Sequence, residues 1–161
     1  MSHQSEDLRA WSALSEKEQG RIFTGESYLP LPEPHAERIA AVFGIKAVEL
    51  GRELLKDVPG YSASATGNFQ RTEMLSTSDS WRSTQDIQAT REWLHQRGVP
   101  YSTNIYLVYD EAIVATEWKI LVKYWDAFAW SVDFAMLALD ESKSWVCELH
   151  HEDVITFQSY E

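Results

Sequence analysis

The sequence predicts an α+β protein in which a helical N-terminal half packs on a C-terminal antiparallel β-meander. Two observations carry this prediction: apolar residues recur at helical spacing in the first half, and the period changes to two after about residue 103. The length of 161 residues suits one domain with a core of its own. We therefore expect a single domain over 1–161, with helices at about 5–58 and 83–97, a loop at 60–82 and a strand-rich part at 103–160.

The first helices are predicted from a start signal and an apolar stripe. Ser15 and Glu18 have the spacing of a capping box, and Gly25 is a stop signal. After the prolines at positions 30, 32 and 34, the apolar residues at helical spacing are Ala36, Ile39, Ala40, Phe43, Ala47, Leu50, Leu54, Leu55 and Val58. Pro59 and Gly60 end this stripe, so we expect helix up to residue 58.

The next segment is a loop followed by the clearest helix signal. Residues 60–82 are rich in Ser and Thr and lose the helical period, which predicts a long loop, with a short strand near Phe69 to Leu75 as an option. Ser83 and Asp86 suit the first turn of a helix over 83–97. Gly98 then suits the left-handed conformation that ends a helix, and Pro100 follows.

The last third is predicted to be strands around one ambiguous segment. Alternating patterns predict strands at 105–109, 133–139, 145–150 and 154–157, with a turn at 140–143. In the segment EWKILVKYWDAFAW, the residues spaced by three and four are Trp118, Leu121, Val122, Trp125, Phe128 and Ala129. That spacing favours a helix, although the alternation of Lys119, Leu121 and Lys123 also fits a strand.

Charge and aromatic content indicate a binding partner of opposite charge. The net charge is −11, and residues 101–161 hold three lysines against eleven acidic residues, a balance of −8. The same segment holds twelve of the twenty aromatic residues. Such a surface repels phosphate backbones, which disfavours nucleic acid, and attracts a basic protein. Aromatic residues surrounded by carboxylates are typical of protein–protein interfaces. The alternative is that the rings form the core and the acids serve solubility.

Several classes are disfavoured by what the sequence lacks. It has neither an apolar run of about 18 residues nor a signal-peptide pattern, and its single cysteine excludes an internal disulfide. These features predict a cytoplasmic protein that does not bind membranes. The sequence contains no nucleophile elbow, phosphate loop, dinucleotide fingerprint or zinc-protease motif, so we predict no enzyme activity and no cofactor. Cys147, in acidic and strand-like surroundings, suits a buried position better than a nucleophile.

The stretch CELHHEDVITF raises one alternative to a binding role. His150, His151, Glu152 and Asp153 lie side by side, which suggests a metal or acid–base site. Adjacent strand residues point to opposite faces, however, so the two histidines do not easily share one ion. Four polar residues between two apolar runs are typical of a hairpin loop. We favour the hairpin and predict no metal, and an enzyme that uses these four residues stays open as an alternative.

The run EWKILVKYWDAFAW, followed by DFAMLALDESKSWVCELHHEDVITF, resembles small acidic bacterial proteins of the toxin-immunity type. The resemblance covers the last third of the chain. It implies a cytoplasmic α+β protein without enzyme activity that neutralises a cognate toxin by docking over its active or substrate site.

The residues expected to contact such a basic toxin or effector combine carboxylates, one tryptophan and one histidine. They are Asp126, Trp130, Asp133, Asp140, Glu141, His151, Glu152 and Asp153. We expect the protein to be a monomer or a small homo-oligomer, and a regulatory subunit is a further alternative.

Overall fold

The computed structural model describes residues 7–24, 26–63, 65, 67–76, 84–129, 135–150 and 154–160. Eight strands form one antiparallel sheet. They are β1 (Arg9–Ala10), β2 (Ala40–Phe43), β3 (Arg71–Ser76), β4 (Asn104–Val108), β5 (Ala112–Glu117), β6 (Ala135–Leu139), β7 (Trp145–His150) and β8 (Val154–Ser159). Their order across the sheet is β1-β2-β5-β4-β6-β7-β8-β3, so strands from the first half of the chain lie at both edges.

Five α-helices surround this sheet in the described residues, together with two short 3-10 helices, Trp11–Ala13 and Glu26–Tyr28. They are α1 (Glu16–Ile22), α2 (Glu33–Ala36), α3 (Ile45–Leu55), α4 (Thr84–His95) and α5 (Trp118–Ala129). The capping box at the start of α1 is confirmed: the Glu18 amide donates to the Ser15 hydroxyl, and the Ser15 amide donates to the Glu18 carboxylate. Gly98 has φ +86°, as predicted for a helix end.

The sheet separates two apolar cores. The larger contains Ile22 of α1, Leu94 of α4 and the tryptophans of α5, packed on strand residues such as Leu107 and Cys147. The smaller, on the opposite face, joins Leu54 of α3 to Tyr106 and Ile113. Alternate residues of β2, β4, β5 and β6 therefore enter different cores, as the pleat requires.

Helix α5 is buried on nearly all sides. Ten of its twelve residues are buried, and Lys119 and Lys123 are the two that are not. Tyr124 has non-helical backbone angles (φ −117°, ψ 23°), which kinks the helix. The segment is thus a helix, as favoured from its spacing, and the alternation of its lysines does not mark a strand.

The mixed α+β class is confirmed, whereas the predicted arrangement is only partly right. Residues 40–43 were expected to be helical but form β2, which pairs Ala40 with Ala115 and Phe43 with Ala112. Strand β5 was not predicted. A short apolar run suits either structure, and pairing with β5 decides for the strand. The C-terminal strands are therefore not a separate meander, because β2 and β3 belong to the same sheet.

The optional strand near Phe69 to Leu75 is confirmed as β3, which pairs with β8 from Arg71↔Ser159 to Ser76↔Val154. Strands β4, β6, β7 and β8 and helix α4 also lie where the patterns placed them, within the described residues. The predicted first-turn residue Ser83 lies outside those residues.

Gly51 offers a direct test of how α3 packs on the sheet. A Cβ at this position would lie 3.5 Å from Ile113 Cδ1 and 3.6 Å from Val108 Cγ1, which is ordinary contact. Because alanine also favours the helix, we expect Gly51→Ala to raise the free energy of unfolding by about 1 kcal/mol in urea titrations. Gly44→Ala is the matched control, and it should destabilise because Gly44 has φ +76°. A destabilised Gly51→Ala variant would contradict this packing.

Candidate functional site

Three of the eight predicted partner-binding residues lie in the described part of the chain: Asp126, Asp140 and Glu141. The other five, Trp130, Asp133, His151, Glu152 and Asp153, lie outside the described residues. Each of the three has partners inside the fold. Asp126 is only 8% exposed, and the Tyr28 hydroxyl lies 3.0 and 2.9 Å from its two carboxylate oxygens. Asp126 is therefore buried and hydrogen-bonded within the fold, which argues against the docking role predicted for it.

Asp140 and Glu141 occupy the hairpin between β6 and β7. The Ser142 amide donates to Asp140 Oδ1 at 3.0 Å, and the Trp145 indole donates to Asp140 Oδ2 at 3.1 Å. The Tyr106 hydroxyl donates to Glu141 Oε1 at 3.3 Å. These bonds are those of a turn whose acidic side chain fixes its own backbone. Both carboxylates thus hold the hairpin, and their role toward a partner stays a prediction.

The aromatic residues of the last third mostly build the core. Of the ten described between 101 and 161, seven are buried: Tyr106, Trp118, Tyr124, Trp125, Phe128, Trp145 and Phe157. Tyr101 and Tyr160 are 50% and 40% exposed. For the seven buried rings, the core alternative is right and the interface interpretation is wrong. Trp125 and Trp145 each use the indole N–H inside the fold, on the Ile87 carbonyl and Asp140.

The sheet register brings together the strand ends on either side of two undescribed segments. Ala135 pairs with His150, His150 pairs with Val154, and Val154 pairs with Ser76. Segments 130–134 and 151–153, which contain five of the eight predicted residues, connect to the sheet through these ends. Neighbouring strands lie about 4.8 Å apart, so the attachment points are close.

Exposed acids lie at the same end of the sheet. Val108 pairs with both Leu137 and Ile113, which places the exposed turn residues Asp110 and Glu111 beside the start of β6. The Gly44 amide donates to the Glu111 carbonyl at 3.0 Å, so Ile45, 75% exposed, lies next to them. We call the surface formed by Ile45, Asp110, Glu111, His150 and Val154 the acidic sheet end.

The structure bears on the two chemical alternatives of the sequence, Cys147 as a nucleophile and the His150 cluster as a metal or acid–base site. Val146, Glu148 and His150 share one face of β7 and Cys147 lies on the other, as the alternation predicts. Cys147 is fully buried, and this burial raises the pKa of its thiol, which suits a core residue. Among the described residues, no three His, Cys, Asp or Glu side chains converge on a metal-sized site. His151, Glu152 and Asp153 lie outside that search, so the enzyme alternative stays a hypothesis.

A cleft that the sequence did not predict lies between α2 and the start of α5. Its cavity has a volume of about 260 Å³. It is lined by Pro34, His35, Arg38, Lys119, Ile120 and Lys123, and we call it the cationic cleft. Lys119 and Lys123 are four residues apart, which puts both on one face of α5, opposite His35 and Arg38. That spacing of two lysines, on a helix whose other residues are mostly apolar, was the sequence signal available for this site.

A polar network connects the cationic cleft to the interior. His35 Nδ1 lies 2.5 Å from the Tyr124 hydroxyl. Arg91 donates from Nε to the Lys123 carbonyl at 3.0 Å and from its terminal nitrogen to the Tyr28 hydroxyl at 2.9 Å. Burial, followed by the nearby charges of Lys123, Arg38 and Lys119, lowers the pKa of His35. Burial and the Asp126 carboxylate raise the pKa of Tyr28 to about 12, so its hydroxyl remains a donor.

Comparisons of the chain with protein-family models, with curated proteins and with solved structures found no match. In the part of the chain that the structure describes, no helix has the length and apolar character needed to cross a bilayer.

The burial of Asp126 predicts how the stability of the protein depends on pH. Burial raises the pKa of its carboxyl despite the hydrogen bond from Tyr28 and the charge of Arg91. Because of this raised pKa, the folded state keeps the proton up to a higher pH than the unfolded state does. The free energy of unfolding therefore falls as pH rises from the unfolded-state pKa near 3.8 through the raised pKa of the folded state. We expect the free energy of unfolding of Asp126→Asn, relative to wild type, to increase between about pH 4 and about pH 7. Urea titrations at each pH measure this difference.

Asp110→Asn, at an exposed turn, controls for the loss of one negative charge. A difference between Asp126→Asn and wild type that shrinks with rising pH would contradict the prediction. It would mean that Tyr28 and Arg91 stabilise the charged carboxylate more than burial costs.

Proposed function

We propose that this protein is an inhibitory binding protein of the immunity type, which neutralises a basic bacterial toxin by docking against it. The observation that carries the proposal is the acidic sheet end. The strand ends Ala135, His150 and Val154 are neighbours in register there, and they flank the segments that hold five of the eight predicted contact residues. The balance of −8 over residues 101–161 supports the same choice of partner charge.

The acidic sheet end has the composition of a docking surface. Ile45 is 75% exposed, and an aliphatic side chain at that exposure gains apolar contact when a partner covers it. Asp110 and Glu111 beside it are exposed carboxylates that can pair with lysine or arginine of the partner. The net charge of −11 speeds the encounter with a cationic protein over a longer range.

The docking set differs from the one predicted by sequence in several carboxylates. Asp126 leaves it, because Tyr28 holds its carboxylate inside the fold. Asp140 and Glu141 follow the far end of β6 from Ala135, so one flat contact centred on the acidic sheet end does not need them. Inhibition in this proposal is stoichiometric: the protein covers the active or substrate site of the toxin and carries out no reaction.

The double variant Asp110→Asn/Glu111→Gln tests the proposal. The partners to test are the toxic proteins encoded beside its gene, each assayed for binding by calorimetry and for growth of toxin-expressing cells. We expect the variant to weaken binding about tenfold, mainly through slower association, and to reduce its salt dependence, because two charges that attract the partner are lost. Ile45→Ala should weaken binding mainly through faster dissociation.

The matched control removes two exposed carboxylates elsewhere, Glu16→Gln/Glu92→Gln, and keeps the same net charge as the first variant. Equal loss of affinity in both double variants would mean that net charge alone attracts the partner and that the acidic sheet end is not the contact. If wild-type protein neither binds nor protects against any neighbouring toxin, the proposed function is wrong.

A further inference from the structure

Three cationic side chains converge on one cavity in a protein whose net charge is −11. Two come from α5, where Lys119 and Lys123 are the only residues not buried. The third, Arg38, follows α2 on the opposite wall. The rest of the α5 surface is buried in the core, so the packing of the helix directs both lysines toward the cavity.

Hydrogen bonds fix the positions of Arg38 and Lys119 in the cationic cleft. Arg38 donates from one terminal nitrogen to the Pro34 carbonyl at 2.9 Å and from Nε to Glu117 Oε1 at 2.9 Å. These two bonds use only part of the five N–H donors of the guanidinium, so the side chain retains donors for a ligand. The Lys119 amide donates to the Tyr101 carbonyl at 3.0 Å, which fixes the start of α5.

Glu117 offsets part of this charge. Its carboxylate pairs with Arg38 at 2.9 Å and with Lys119 at 3.3 Å. Lys123 has no carboxylate partner among the described residues, and its ammonium lies 5.9 Å from the centre of the Tyr124 ring. Three cations against one carboxylate leave an excess of two positive charges around the cavity. That excess matches the charge of a dianion.

His35 contributes a titratable ring to the wall of the cationic cleft. Its Nδ1 lies 2.5 Å from the Tyr124 hydroxyl, and when that hydroxyl donates, the ring proton resides on Nε2. The charged groups around this ring are Arg38, Glu117, Lys119 and Lys123, with Arg91 behind Tyr124. The cations lower the pKa of the ring, and a dianion bound among them would oppose that effect.

We infer that the cationic cleft binds a compact dianion of the phosphate class, either free phosphate or the phosphate group of a small metabolite. Arg38, Lys119 and Lys123 hold its oxygens through charge-assisted hydrogen bonds. The volume of about 260 Å³ lies below the range of drug-sized ligands, so the ligand is small. The local excess of positive charge acts at short range, whereas the negative charge of the whole protein is screened beyond about 8 Å at physiological salt.

Titration of the protein with inorganic phosphate, measured by isothermal titration calorimetry, tests the inference. We expect saturable binding with one site per chain. Lys123→Gln removes an exposed ammonium and should weaken phosphate about tenfold, because a hydrogen bond to a charged group contributes about that factor. Lys46→Gln is the matched control: it removes an exposed lysine on α3, outside the cleft, and should leave the affinity unchanged.

Glu117→Gln gives an effect of opposite sign that instability cannot imitate. It removes the carboxylate that pairs with Arg38 and Lys119 while keeping the shape of the side chain. We expect phosphate to bind several-fold more tightly to this variant, since the ligand no longer competes with an internal anion.

Two further titrations separate the ligand sources and test His35. Glycerol phosphate that binds more tightly than inorganic phosphate would indicate a metabolite, and the reverse order would indicate free phosphate. Sulfate keeps its charge of −2 near neutral pH, so its affinity should increase as pH falls and His35 becomes protonated, and His35→Gln should abolish that increase.

Absence of saturable binding of phosphate and sulfate to wild type would overturn the inference. So would an equal loss of affinity in Lys123→Gln and Lys46→Gln, or weaker binding to Glu117→Gln. None of these outcomes bears on the acidic sheet end, which lies elsewhere on the molecule.

Discussion

The burial of helix α5 is the constraint on which the rest of the structure depends. A twelve-residue helix with ten buried residues needs apolar cover on nearly every side, and the sheet covers only one side. Helix α4 supplies a second side, where the Trp125 indole donates to the Ile87 carbonyl. The N-terminal segment supplies the third: Phe23 packs edge-on against Tyr124 and Phe128, and the Thr24 amide donates to the Ala127 carbonyl. The first strands and the last strands are thereby brought into one sheet around a common core.

A polar network meets the apolar core beside the kink of α5 at Tyr124. Lys123 directly precedes the kink, and Arg91 of α4 donates to its carbonyl. Arg91 also donates to Tyr28, whose hydroxyl in turn donates to the buried Asp126. A buried carboxylate is tolerated only with such donors, because an unpaired charge in the interior is costly. Tyr124 itself contacts His35, so the cationic cleft and the buried end of α5 meet at this residue.

Two surfaces of opposite charge result from this architecture. The cationic cleft collects three positive side chains between α2 and α5, while the acidic sheet end carries exposed carboxylates in the β4–β5 turn. A net charge of −11 favours encounters with cationic proteins, yet it does not decide what binds in a cleft whose own charges lie within a few ångströms of a ligand. The small anion and the basic protein that we propose as ligands would therefore bind different parts of the same molecule.

The sequence by itself determined the local elements: the capping box at Ser15, helix α4 with its Gly98 end, the helical choice for α5, and the alternation along β7. These depend on residue spacing and on bonds between near neighbours. Only the tertiary structure decided that residues 40–43 are a strand beside β5, that Asp126 is internal, and that His35 and Arg38 face Lys119 and Lys123. The physical reason is that strand pairing and charge pairing join residues about eighty positions apart, and periodicity records that a side chain is buried without recording what covers it.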